Sequence, residues 1–153
     1  MTVAPEPRAT LDLLIDTNVV LDVVLGREPW AREAALLFNE IVAGKARGFL
    51  AAHALTTVHY IVASERDRSA ASTAVADVLS VFAVVPLEAA EFQRALALRL
   101  GDFEDAVQVA ACLKVGARFI VTRNARDFRG APVETRTPGE VVALLAAATD
   151  PPA

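Results

Sequence analysis

The sequence lacks most of what marks secreted, membrane or zinc-bound proteins. Its 153 residues include one cysteine, Cys112, so no intrachain disulfide can form, and no Cys/His cluster has zinc-ligand spacing. No apolar run approaches the roughly 20 residues of a membrane span. The opening residues, Met1 to Arg8, hold no apolar stretch like that of a signal peptide. Glycine and proline, at 7 and 8 residues, are too few for a low-complexity chain. Basic residues are in deficit, 15 against 19 acidic ones, which argues against a basic module that coats nucleic acid. No glycine-rich phosphate loop appears, so nucleotide binding of the usual kinds is not expected. These absences lead us to expect a soluble, cytoplasmic protein of one domain.

What is present fits a packed domain. Hydrophobic residues make up 54% and charged ones 22%, enough apolar material for a sizeable core. The net charge of −4 leaves room for an enzyme that grips phosphates through cations held by its own carboxylates, since the cation reverses the local charge. Clustered acids are therefore the feature to seek. The domain is expected over 11–148, between a flexible segment at 1–10 and a flexible tail at 149–153.

Short apolar runs alternate with helical spacing. Strands are expected at 11–15, 48–52, 81–85 and 118–122, with an edge strand at 131–135. Helices are expected at 19–25, 30–43 (Pro29 at its first position), 55–63, 69–79, 87–98, 102–115 and 137–148, the last opened by the capping-box spacing of Thr137 and Glu140. Residues 123–127 read as a polar loop. The alternation predicts an α/β fold with a largely parallel sheet.

In such a sheet the functional crevice lies outside the carboxyl ends of the strands. Asp16, Asn18 and Asp22 follow the first strand, and Thr122, Asn124 and Asp127 follow the fourth. Asp102, Glu104 and Asp105 open the helix leading into that fourth strand, and a helix packed between parallel strands starts at the same edge. Each acid alone has a simpler reading. Asp16 could be a helix cap, the acids at 102–105 could complement a helix dipole, Asp127 could bridge Arg123 or Arg126, and Asp22 could be solvated or paired with an arginine such as Arg27. Yet residues 106–113 are apolar nearly all round, so an acid entering that helix must be paired, hydrogen-bonded or metal-bound. Acids gathered unpaired repel one another and are driven towards protonation, a penalty that Mg²⁺ or Mn²⁺ removes. Such a cation lowers the pKa of a bound water and screens a phosphodiester under attack. Thr122 and Asn124 could hydrogen-bond a metal-bound water or a phosphate oxygen. Trp30 and Phe38 read as core by default, or more boldly as part of a groove for a partner chain, His59 as an ordinary helix residue, and Cys112 as a small core hydrophobe. Arg27, Arg32, Arg66, Arg68, Arg123 and Arg126 are candidate phosphate contacts.

Three blocks in order, Ile15-Asp16-Thr17-Asn18-Val19-Val20-Leu21-Asp22, Asp102-Phe103-Glu104-Asp105-Ala106-Val107-Gln108 and Ile120-Val121-Thr122-Arg123-Asn124-Ala125-Arg126-Asp127-Phe128, together resemble a PIN domain. The resemblance covers nearly the whole chain, from Leu11 to Ala148. It implies a three-layer α/β/α sandwich around a mostly parallel sheet of four or five strands. It also implies a Mg²⁺- or Mn²⁺-dependent ribonuclease, commonly a VapC-type toxin that pairs with an antitoxin and forms a homodimer. Asp16 matches the family's first metal ligand and Asp105 its acid at the start of the later helix. Asn124 stands where the family is often acidic, with Asp127 the nearest acid able to compensate, and Asp102 is a further candidate ligand. The glutamate usual in the helix after the second strand is absent: residues 53–60 contain no acid before Glu65. Thr56, Thr57 or His59 would occupy its place, or Asp102 or Glu104 would supply its charge. The alternative reading is a catalytically impaired PIN-like module that binds RNA or protein. A phosphotransfer site using Asp16 as nucleophile fits less well, because the second acid it would need is Asn18.

Overall fold

The computed structural model describes residues 10–149. Of the two segments expected to be flexible, all but Thr10 and Thr149 lie outside the described residues. Five strands, β1 (Leu11–Ile15), β2 (Ala46–Ala51), β3 (Ala83–Val85), β4 (Phe119–Val121) and β5 (Thr135–Arg136), form one parallel sheet in the order β3-β2-β1-β4-β5. The helices are α1 (Thr17–Val24), α2 (Trp30–Val42), α3 (Ala52–Glu65), α4 (Arg68–Val81), α5 (Ala89–Leu98), α6 (Phe103–Val115) and α7 (Pro138–Thr149).

β1 explains the layering. Its side chains alternate between two cores, as strand geometry requires. Leu13 and Ile15 pack with residues of α1, α2, α3, α4 and α7, whereas Leu14 packs with Val109, Ala111 and Cys112 of α6. Both faces are covered, which is why this central strand reads as an almost unbroken apolar run. The result is the expected α/β/α sandwich. Strand order runs outward from β1 in one direction to β2 and β3 and in the other to β4 and β5, so the reversal falls between β1 and β4.

Several boundaries differ from the expected ones, each for a local reason. Helices α3 and α4 together cover nearly all of 52–81, because the break at Arg66-Asp67 needs only one capping residue, Asp67, whose Oδ1 accepts the Ala70 N–H at 2.7 Å. Val81 closes α4 instead of opening β3. Pro29 is the N-cap of α2 and not its first helical residue. The loop expected at 123–127 holds a 3₁₀ turn over Ala125–Phe128, with Phe128 buried in the core. The last strand falls at Thr135–Arg136 instead of 131–135, where Thr122 N–H reaches Arg136 O at 2.9 Å. The capping box at Thr137 and Glu140 forms in both directions, each bond 3.1 Å.

Close packing of β2 against α2 and Phe82 requires a glycine. A Cβ at Gly48 would sit 2.6 Å from Phe82 Cδ1 and 3.1 Å from Ile41 Cδ1, and Phe82 is itself wedged edge-on against Phe38 at 4.9 Å. Gly48→Ala is expected to lower unfolding free energy by about 1–3 kcal/mol, the usual cost of overpacking. A urea-unfolding midpoint unchanged from wild type would contradict this.

Candidate active site

The first strand ends in a buried acid. Asp16 is 4% exposed, and its N–H donates to Val121 O at 2.9 Å, tying the ends of β1 and β4 together. Its Oδ1 accepts the Asn18 N–H at 3.3 Å and Gln108 Nε2 at 3.1 Å, and its Oδ2 accepts Thr122 Oγ1 at 2.8 Å. The cap reading of Asp16 therefore holds: it caps α1 through Asn18. The same carboxylate also receives donors from α6 and the end of β4. Asn18 contributes its backbone N–H here. Asn124 likewise contributes a backbone N–H, which donates to Thr122 Oγ1 at 3.0 Å.

Helix α6 brings the second group of acids. Asp102 is its N-cap, accepting the Asp105 N–H at 3.0 Å. Asp105 lies in the first turn, partly buried, and its carboxyl is pushed up to about 7. Burial is the largest cause, followed by the charges of Asp102, Asp16, Asp127 and Glu104. Glu104 is raised as well, by burial and then by Asp102 and Asp16. Asp127 is exposed in the 3₁₀ turn, its N–H donating to Asn124 O at 3.0 Å. The five acids thus gather at one edge, and among the described residues no ion pair neutralises Asp16, Asp102, Asp105 or Asp127.

Asp22 does not belong to this group. It is 1% exposed and so not solvated; it is paired with an arginine, as the alternative reading had it, but with Arg123 and not Arg27. Arg123 Nε donates to its Oδ2 at 2.8 Å and Arg123 Nη2 to its Oδ1 at 3.4 Å. The same guanidinium lies 4.0 Å from the centroid of the Trp30 ring, so Trp30, 44% exposed, is a surface cover and not core. Arg27 pairs instead with Glu65 at 3.2 Å. Thr56 and Thr57 both donate their hydroxyls to His53 O, at 2.8 and 3.3 Å. His59 lines a separate hollow with Tyr60, Ser64 and Arg68.

Two site residues were not legible beforehand as such. Gln108, 1% exposed, is the one polar side chain buried on α6, and an amide inside an apolar helix needs a partner. That was the available signal, and the partner is Asp16. His53, in the first turn of α3, stands with Nε2 3.9 Å from Glu104 Oε1; burial pushes its pKa down. Its presence could have been anticipated only from its place just after β2, at the same sheet edge.

A divalent cation would suit this donor set. Among the described residues, the buried side-chain polar atoms without a hydrogen-bond partner are Thr17 Oγ1, His53 Nδ1 and Nε2, and Gln108 Oε1. They belong to the residue following Asp16, the residue facing Glu104 and the residue bonded to Asp16. Gln108 Oε1, on the amide that donates to Asp16, and His53 Nε2, 3.9 Å from Glu104 Oε1, are the ones placed beside the acids, where a metal-bound water would satisfy them. Among the described residues no three His, Cys, Asp or Glu side chains are drawn around one point. Mg²⁺ does not need such a cage, since it commonly takes one or two carboxylates and keeps several waters.

The model of the PIN domain family matches residues 12–126 of this chain. The chain belongs to the PIN domain family. Among curated proteins, Ribonuclease VapC1 of Aquifex aeolicus is 25% identical over 133 residues, spanning 84% of this PIN domain chain and 91% of that protein. A toxin–antitoxin complex from Klebsiella pneumoniae contains a chain of 25% identity and TM-score 0.62, with 82% and 97% of the two chains covered. VapC20 of Mycobacterium tuberculosis, a sarcin-ricin loop cleaving toxin, shares the fold at 20% identity and TM-score 0.65, covering 81% and 98%.

The crowding of Asp105 has a thermodynamic consequence. Because its folded-state pKa is raised, the folded protein keeps a proton up to about pH 7 that an unfolded aspartate releases near pH 4. The penalty for ionising it is absent below about pH 4, grows across that window and is fully present above it. Asp105→Asn should therefore raise the Tm of the metal-free protein at pH 8 and leave it nearly unchanged at pH 4. Equal shifts at the two pH values would show that Asp105 is not held against its charge.

Proposed function

We propose that this chain is a Mg²⁺- or Mn²⁺-dependent endoribonuclease, the toxin of a toxin–antitoxin pair, acting in the cytoplasm. The observation that carries the reading is the gathering of Asp16, Asp102, Glu104, Asp105 and Asp127 at one sheet edge, where Asp105 is partly buried and, among the described residues, has no ion-pair partner. Ribonuclease VapC1 as a relative gives the chemistry its substrate class.

In this reading Asp16, Asp105 and Asp127 are the catalytic acids and hold the metal, with Asp102 beside them. When bound, the cation supplies an acidified water and screens phosphodiester charge. The chain's own residues do the rest. Gln108 and Thr122 aim the Asp16 carboxylate, and Asn124 orients the Thr122 hydroxyl through its N–H. Asp105 would hold the cation as its carboxylate, the form that burial and the neighbouring acids disfavour while no cation is bound.

Cleavage of RNA in Mn²⁺ by wild type, Asp16→Ala and Asp105→Ala tests the assignment. Both variants are expected to lose activity, and Gln108→Ala to weaken Mn²⁺ binding by roughly 10–100-fold, as for residues that orient a ligand. Equal cleavage by all three proteins would refute the nuclease reading. The absence of an acid on the inner turns of α3 favours one competing reading, a binding module without catalysis. Calorimetry with millimolar Mn²⁺ decides between them, heat of binding supporting the nuclease.

The partners follow from the same reading: RNA as substrate, a homodimer, and an antitoxin. For the antitoxin a groove of about 600 Å³ is available, floored by Val23, Val24, Phe38, Val78 and Phe82 and rimmed by Arg66 and Asp77. It suits the apolar face of an antitoxin helix. Thr73→Trp, at the exposed lip, is expected to block co-purification with a co-expressed antitoxin while RNA cleavage persists. Among the described residues no helix is long and apolar enough to cross a membrane.

A further inference from the structure

Arg123 stands between Thr122 and Asn124, the two residues that prepare the Asp16 carboxylate, yet its side chain leaves the site in another direction. It reaches α1, where Nε and Nη2 grip the fully buried Asp22 at 2.8 and 3.4 Å, and it lies under Trp30, the first residue of α2. A buried carboxylate is tolerated only when paired and hydrogen-bonded, so Asp22 fixes Arg123 firmly. Fixing Arg123 fixes the backbone on both sides of it. One of those neighbours donates Oγ1 to Asp16 Oδ2 at 2.8 Å, and the other donates its N–H to that same Oγ1 at 3.0 Å.

We propose that the Asp22–Arg123 pair, covered by Trp30, is a positioning device that holds the β4 loop in register with Asp16, and that Arg123 does not contact substrate. The proposal rests on the nuclease reading only for its kinetic readout. Two features separate this role from that of a phosphate-binding arginine. Its guanidinium is committed to a carboxylate that is 1% exposed, and its open face is stacked on an aromatic ring. A lysine there would keep the charge but not the planar two-nitrogen fork that matches Asp22.

The test is a double-mutant cycle with Asp22→Asn, Arg123→Gln and the pair combined, all in Mn²⁺ with an RNA substrate. Each single variant is expected to lower kcat on the order of 10–100-fold, the usual cost of losing an orienting partner, with KM little changed. The double variant should be no worse than the worse single one, since both remove one device. Arg123→Lys should recover only part of the loss. Because Asp22 left alone in the core can prevent folding, Trp30→Ala provides a milder perturbation, with a smaller fall in kcat. Amide exchange at Asn124 reads the same device without catalysis. It should accelerate in every variant, even if wild type cleaves no RNA, an outcome that would sink the nuclease reading and leave this one standing. A rise in KM confined to the Arg123 variants, with Asp22→Asn silent, would instead make Arg123 a phosphate contact and overturn the proposal. So would variants of lower Tm whose kcat and Asn124 exchange match wild type.

Discussion

The arrangement of this molecule hangs on one buried carboxylate. Asp16 leaves the central strand with almost no access to water, and it is made tolerable by donors from its own helix turn, from Gln108 and from Thr122. An unsatisfied buried carboxylate would be costly, and it is the pairing of β4 with β1 and the packing of α6 that supply the two distant donors. Strand order, helix placement and the gathering of acids are thereby one constraint seen at different scales.

The acids around it are treated in three different ways. Asp22 is neutralised by an arginine, Asp16 by hydrogen-bond dipoles, and Asp105 by nothing among the described residues, so that burial and its neighbours press it towards its protonated form. A structural acid takes the first solution. The last is unfavourable for the folded chain on its own, and groups so placed concentrate where chemistry is done. The contrast is useful because Asp22 and Asp16 are six positions apart on the same strand–helix junction and residue type does not separate them.

Much of this could be read from residue order. The strand-end positions of Asp16 and Thr122 and the opening of α6 by Asp102 and Asp105 follow from alternation and capping, which are local. The outward order of the sheet then brings them together, and the family resemblance agrees with the matched model. What escaped was set by distant partners. Asp22 belongs to Arg123, 101 positions away, and Trp30 covers that arginine instead of joining the core. Gln108 is the polar exception in an apolar helix, and its role comes from Asp16, 92 positions away. The last strand slid to Thr135–Arg136 because pairing with β4 decides its limits, and a two-residue strand carries no periodicity of its own. The absent acid of α3 was legible as an absence. In its place two threonine hydroxyls close on the His53 carbonyl, a local choice that residue order does not dictate.

The sequence separations within the site set when it can exist. Gln108 and Thr122 come 92 and 106 positions after Asp16, and a ribosome adds about 5–20 residues each second. For several seconds a growing polypeptide carries its first acid without the groups that aim it. Prematurely terminated fragments ending before residue 108 never acquire them. The acid at the end of β1 therefore waits for the end of β4 before its surroundings are complete.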